Sequence, residues 1–239
     1  RVLESKPDFP AALGLLSHVR RQYDWDWRGA LEAAEKAVDL NPGDPELMSV
    51  ASLALFSLGR FDAAEELLRP SAMQDPLNLG RRLRLGLLQE FSGEYEQSLS
   101  SYRQIVGLNP DFPGARAFRA RVKILQDKPD SALRESDQEK DPFWRRYSKI
   151  LALSALDRSD EMQVLLEQMI SDEGRHAAFQ IAEILAFNGE TDSAFEWLQR
   201  AYEQKDGGMR EMIGNRFLNN LHGDKRWEQM FTLLGLPLD

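Results

Sequence analysis

Proline returns along this chain at a nearly constant interval. Pro7, Pro42, Pro76, Pro110 and Pro142 stand 35, 34, 34 and 32 residues apart, and after Pro142 the loop residues Asp172-Glu173 and Asp206-Gly207 keep the phase without it. A fixed period of this size describes one supersecondary unit, repeated, that buries its apolar face only by stacking on its neighbours. Proline donates no backbone hydrogen bond and disfavours helix at the residue before it, so each loop proline ends a helix. Gly59, Gly93 and Gly189 share a second phase, midway between two apolar-periodic segments. Glycine ends a helix there by taking the left-handed conformation without a side-chain clash. Five residues on stand Ala64, Ser98 and Ala194, with Ala30 and Ala132 at the same phase. Small side chains there let paired helices approach closely.

The pattern predicts helix pairs over 10–22 with 28–40, 45–58 with 61–73, 77–92 with 95–108, 112–126 with 129–140, 143–156 with 160–171, and 174–188 with 191–204. Asp127 stands in for the turn glycine of the fourth pair and Met162 for the small residue of the fifth. The segment after Leu133 is so polar that the second helix of the fourth pair is expected to be exposed and loosely held. Asp224–Leu234 reads as an amphipathic helix with Trp227, Met230, Phe231 and Leu234 on one face.

With Gly86, Gly93, Tyr102 and Pro110 in one unit, and Ala182, Gly189, Ala194 and Ala201 in another, the chain resembles the tetratricopeptide repeat over residues 10–206. The resemblance implies an all-α, right-handed α-solenoid of about six helix pairs closed by a C-terminal capping helix. Residues 1–206 would form the superhelix, its first repeat truncated, and 207–239 a cap on the last repeat. It also implies a protein–protein interaction scaffold. The run Tyr23-Asp24-Trp25-Asp26-Trp27 looks like the first repeat of arrays in bacterial signalling proteins. Phe217, Leu221, Asp224, Trp227 and Leu234-Gly235-Leu236-Pro237 look like their closing segment. Those arrays accompany an adenylate cyclase, a kinase or a winged-helix regulator, so a regulatory or sensory region is implied. The aspartates of the aromatic run are expected to cap the next helix and the indoles to staple the pair. Because the chain starts at Arg1 and residues 1–8 read as the tail of a helix, a fragment of a longer protein is expected.

A net charge of −9 argues against direct nucleic-acid binding, which needs a basic surface. The absence of cysteine excludes a disulfide framework and fits a cytoplasmic setting, the periplasm remaining open. No apolar run is long enough to insert into a membrane. There is no phosphate-cradling loop, nucleophile elbow or zinc-binding helix motif, and His18, His176 and His222 are dispersed. No enzyme activity, cofactor or metal is expected; an enzyme remains the remote alternative.

In tetratricopeptide arrays the first helix of each pair lines the concave side. That phase places Tyr23, Phe56, Leu87, Phe91, Arg121, Tyr147, Phe179, Glu183 and Phe187 in a peptide groove, beside Leu15 and Val19. The same positions, turned toward the neighbouring repeat, would be core. Val19, Leu53, Leu87, Arg121, Leu151 and Glu183 carry no recurring asparagine, so the family's clamp for a terminal carboxylate is not expected. Val2, Leu3 and Phe9 form a second candidate, an apolar edge for self-association into a homo-oligomer. A positive stripe is expected from Arg81, Arg82 and Arg84 through Arg116, Arg119, Arg121 and Lys123 to Arg145 and Arg146. It would receive an acidic segment, or be ordinary surface paired with Glu90, Glu94 and Glu96.

Overall fold

The structure, a computed structural model, describes residues 2–237, with side chains from Leu3 onward. Arg1 and the Val2 side chain, part of the expected N-terminal edge, lie outside the described residues. Every regular element among the described residues is helical. The helices gather into two compact units, residues 2–88 with 224–237 and residues 89–223.

The first unit contains α1 (Val2–Ser5), α2 (Pro10–Val19), α3 (Trp27–Leu40), α4 (Pro45–Ser57), α5 (Phe61–Gln74) and most of α6 (Leu79–Phe91). α2 packs against α3 and α4, and α4 against α5, so the first helix α2 touches both its own partner and the next first helix. α4 starts where Pro45 pre-sets the first turn and the Asp44 carboxylate accepts from the Glu46 and Leu47 amides at 2.9 and 3.1 Å. Asp26 caps α3 through the Gly29 amide at 2.9 Å, as its position in the aromatic run predicts. The Trp25 and Trp27 rings stack at 6.3 Å and 13°. α2 ends earlier than the periodicity suggests. A wider π-helical turn over Arg20–Asp24 follows it and is closed by Trp25 in the left-handed region, φ 55°. Ala30, Ala34 and Ala37 of α3 and Ala64 of α5 are fully buried at the phases that call for small side chains.

The second unit takes the end of α6, then α7 (Tyr95–Leu108), α8 (Ala115–Leu125), α9 (Pro129–Gln138), α10 (Pro142–Ala155), α11 (Ser159–Glu173), α12 (Ala178–Phe187) and α13 (Thr191–Glu203). α8 packs on α9 and α10, and α10 on α11 and α12, repeating the arrangement of the first unit. The pairs lacking a turn glycine still make the same turn. Asp127 and Asp157 take φ 58° and 56°, beside 83° at Gly93. Aspartate tolerates this region better than most side chains because it bonds its own local backbone.

Two expectations need correction. α9 is not loosely held, since Glu135, Ser136 and Glu139 are all buried. The Glu139 carboxylate accepts from the Arg116 and Ala117 amides at 3.2 and 3.3 Å and so caps α8, whose own N-cap, Gly114, has no side chain to do it. Polarity after Leu133 therefore marks interhelical bonding at Glu139 and Glu135, while Arg134, Asp137 and Gln138 are exposed. The closing segment also divides. Residues 207–223, as short 3₁₀ turns at Gly207–Glu211 and Arg216–Leu221, pack with α12. α14 (Lys225–Leu234) instead groups with the first unit, where the Trp27 indole donates to the Leu234 carbonyl at 2.6 Å. The amphipathic pattern of α14 requires an apolar face to cover but does not say which.

Candidate protein-binding surfaces

In the second unit, the side chains expected to line a groove converge on one another. Arg121 of α8 is 2% exposed, Tyr147 of α10 0% and Glu183 of α12 1%. The Arg121 guanidinium donates to Glu90 Oε1 and to Glu183 Oε1, each at 3.0 Å, and to the Tyr147 hydroxyl. That hydroxyl in turn donates to Glu183 Oε2 at 3.0 Å. One cation thus serves two buried carboxylates contributed by different first helices. Burial pushes the Glu90 carboxyl above its ordinary value, and Arg121 only partly offsets that rise. Burial likewise raises the Tyr147 phenol, so it stays a neutral donor.

This cluster is covered by the chain itself. Asn215 Nδ2 donates to Glu183 Oε1 at 2.7 Å, while its carbonyl oxygen accepts from the Phe217 amide at 3.1 Å. The Arg121 guanidinium lies 4.6 Å from the centre of the Phe217 ring, and Phe217 meets Phe187 edge-on at 5.3 Å. Gly208 lies so close to Phe179 that a Cβ would come within 2.3 Å of the ring. Arg216 stacks over Tyr95 at 5.4 Å and comes up to the left-handed Gly93. Asn220 donates to the Ala186 carbonyl at 2.8 Å. Met209, Met212, Phe217, Leu218 and Leu221 are buried. Residues 207–221 therefore occupy the face that the repeat phase assigns to a ligand. Arg121, Phe179 and Glu183 are buried against them, Tyr147 is buried beside Arg121 and Glu183, Phe91 is buried, and Phe187 is half-buried.

In the first unit, Phe56 is buried against Phe61 at 5.6 Å and Leu87 is half-buried. Tyr23 is different. It is 62% exposed, in line with Leu15 at 64% and Val19 at 36%. Beside this stripe a cavity of about 440 Å³ opens between α2 and α4. Phe9, Gly14, Leu15, Leu47 and Val50 form its apolar walls, with His18, Asp44 and Glu46 among its polar lining. Gly14 makes this packing possible: a Cβ there would sit 2.9 Å from Leu47 Cδ2.

Tetratricopeptide repeat family models match residues 26–84 and 81–112. Residues 26–112 carry tetratricopeptide repeats. A small glutamine-rich tetratricopeptide repeat-containing protein of Mycosarcoma maydis is 31% identical over 85 residues, which is 36% of this chain. The chain spans only 24% of that relative's length. Among solved structures, the fold is similar to that of pilF from Pseudomonas aeruginosa (TM-score 0.56, 12% identity, 84% of this chain and 94% of that one). It is also similar to MamA (0.54, 17%, 69% and 91%) and to a tetratricopeptide repeat protein from Parabacteroides merdae (0.53, 15%, 91% and 90%). Such repeats are in general protein-interaction modules. Among the described residues, no helix is long and apolar enough to cross a membrane.

The tetratricopeptide phase does not say whether its first-helix positions are open or covered. Asn215 and Phe217, which cover the second unit's cluster, were missed because 207–221 has no helical period. The signal that could have found them is chemical: a first-helix face carrying Arg121 and Glu183 needs polar partners if it is buried. The expected positive stripe also breaks up. Arg81 is buried and pairs with Glu46 at 3.1 Å, Arg121 belongs to the buried cluster, and Arg146 pairs with Asp172 at 2.8 Å.

Proposed function

We propose that this chain is a protein-interaction scaffold whose ligand is an amphipathic peptide segment seated on the first unit. The observation that carries this reading is the exposed line Leu15, Val19 and Tyr23 beside the apolar cavity between α2 and α4. One large apolar side chain of the ligand fills that cavity, and others lie along the stripe. The chain's net charge of −9, with Asp44 and Glu46 at the cavity, favours a ligand with basic flanking residues. The resemblance of the aromatic run and of the Leu-Gly-Leu-Pro ending to signalling proteins supports reading the scaffold as the regulatory region of a larger bacterial signalling protein.

A random phage-displayed peptide library tests this. Peptides selected on the wild-type chain are expected to carry apolar residues at helical spacing with basic flanks. Leu15→Asp should weaken their binding by at least roughly tenfold, equivalent to about 1.4 kcal/mol, without altering the helical circular dichroism. Selected peptides that bind the variant as well as the wild type would defeat the proposal. Phe9, 46% exposed at the same edge, favours self-association as the second reading. Light scattering that shows mass rising with concentration, abolished by Leu15→Asp, would assign the stripe to a second copy of the chain instead.

A further inference from the structure

Within the second unit, cations outnumber the carboxylate they share. Arg119 Nη2 lies 2.9 Å and Lys123 Nζ 2.7 Å from Glu135 Oε1, with Arg116 Nη1 3.6 Å from Glu135 Oε2. Among the described residues, Glu135 is the only carboxylate that these three side chains pair with. Arg103, exposed on α7, adds to the positive field at Arg119. The cations are themselves recessed, at 17–18% side-chain exposure, and Glu135 is 10% exposed. The Nε atoms of Arg116 and Arg119 are buried with no acceptor. One carboxylate neutralises one charge, so surplus positive charge and unused guanidinium donors are held in a partly dry site. Electrostatic balance for folding does not require this. With Arg119 removed, Glu135 still has Lys123 and Arg116. Burial pushes Arg119 below the usual arginine range; Glu135 opposes this, and Arg116 and Arg103 add to it.

We infer that Arg103, Arg116, Arg119 and Lys123 form a binding site for a short acidic peptide segment of a partner, presented by α7 and α8 and tuned by Glu135. The guanidinium forks donate to both oxygens of a carboxylate at once. From Arg116 to Lys123 the helix rises by about 10 Å, the reach of roughly three extended residues, so a run of a few glutamates or aspartates spans it. A peptide is favoured over a nucleic acid because the chain as a whole carries −9 and repels an extended polyanion beyond the local patch. The site lies wholly in the second unit and stands independently of the stripe on the first.

The test uses the full chain and a short fluorescein-labelled peptide of alternating glutamate and glycine, with its glutamine counterpart and a single-stranded oligonucleotide of equal charge as controls. At low salt the glutamate peptide is expected to bind at least roughly tenfold more tightly than the glutamine peptide, and added salt to weaken it. Arg119→Gln and Arg103→Gln should each weaken it severalfold while leaving the melting temperature unchanged. Glutamate-peptide affinity that both variants leave intact, or no affinity at all, would overturn the inference. Tighter binding of the oligonucleotide would overturn the assignment to a peptide. Should Arg119→Gln melt early, Arg103→Gln, at an exposed position, still decides the matter.

Discussion

Replacing Arg121 with Met lowers the stability of the second unit by about 3–5 kcal/mol, the range for breaking a buried ion pair by removing one partner. Arg121 is 2% exposed and is the counter-charge of both Glu90 and Glu183. A thioether of similar length fills the space but leaves two carboxylates in a dry interior with the Tyr147 hydroxyl and the Asn215 amide as the remaining donors. Urea unfolding followed by circular dichroism reads the loss. Adding Glu183→Gln should return part of it, because one stranded charge disappears while its bonds with Tyr147 can persist. An arginine in an open groove, as the repeat phase alone suggests, would give no such loss and no such recovery.

Glu211 gives the second large effect, and it depends on pH. Burial raises its carboxyl from 4.5 to about 7, and Glu183 and Glu90 add to the rise while Arg121 and Arg210 oppose it. The folded state therefore holds a proton that the unfolded state has already released. The stability this contributes is fully present below about pH 4.5 and is lost as pH rises to about 7. With a little solvent access at the side chain, the loss amounts to about 2–3 kcal/mol. Glu211→Gln should accordingly leave stability near about pH 5 little changed and raise it by about 2–3 kcal/mol near about pH 8. Denaturant midpoints of wild type and variant across that window check both the size and the sign. Glu90, also raised by burial, contributes a residual slope of the same sign in both proteins.

The repeat architecture was legible because its determinants are local. A proline that ends one helix, a glycine or aspartate that turns the chain and an alanine that lets two helices touch all act within a few residues of themselves. They therefore recur with the period. Even the substitutions at Asp127 and Asp157 were absorbed locally, by a side chain that tolerates φ near 57°. The binding surface was less legible because its determinants are not local. Nothing near Arg121, Tyr147 or Glu183 in sequence announces that Asn215 and Phe217 will lie over them, at sequence separations of 32 between Asn215 and Glu183 and far more to Arg121. The same holds for α14, whose link from Leu234 to Trp27 spans 207 residues. The polar stretch in α9 misled for a related reason. Its glutamates serve α8, and a surface charge and an interhelical one look alike in sequence. Tyr23 is 62% exposed, a state the repeat phase alone leaves open.

Tyrosine-selective modification of the native full chain, read by mass spectrometry, separates the open surface from the filled one in a single experiment. Tyr23, 62% exposed, should react fast, while Tyr147 and Tyr102, both at 0%, should stay unmodified until the second unit unfolds. Tyr147 reacting as readily as Tyr23 would mean that residues 207–221 do not fill the second unit's face, and the division between a binding stripe and a self-covered core would be wrong.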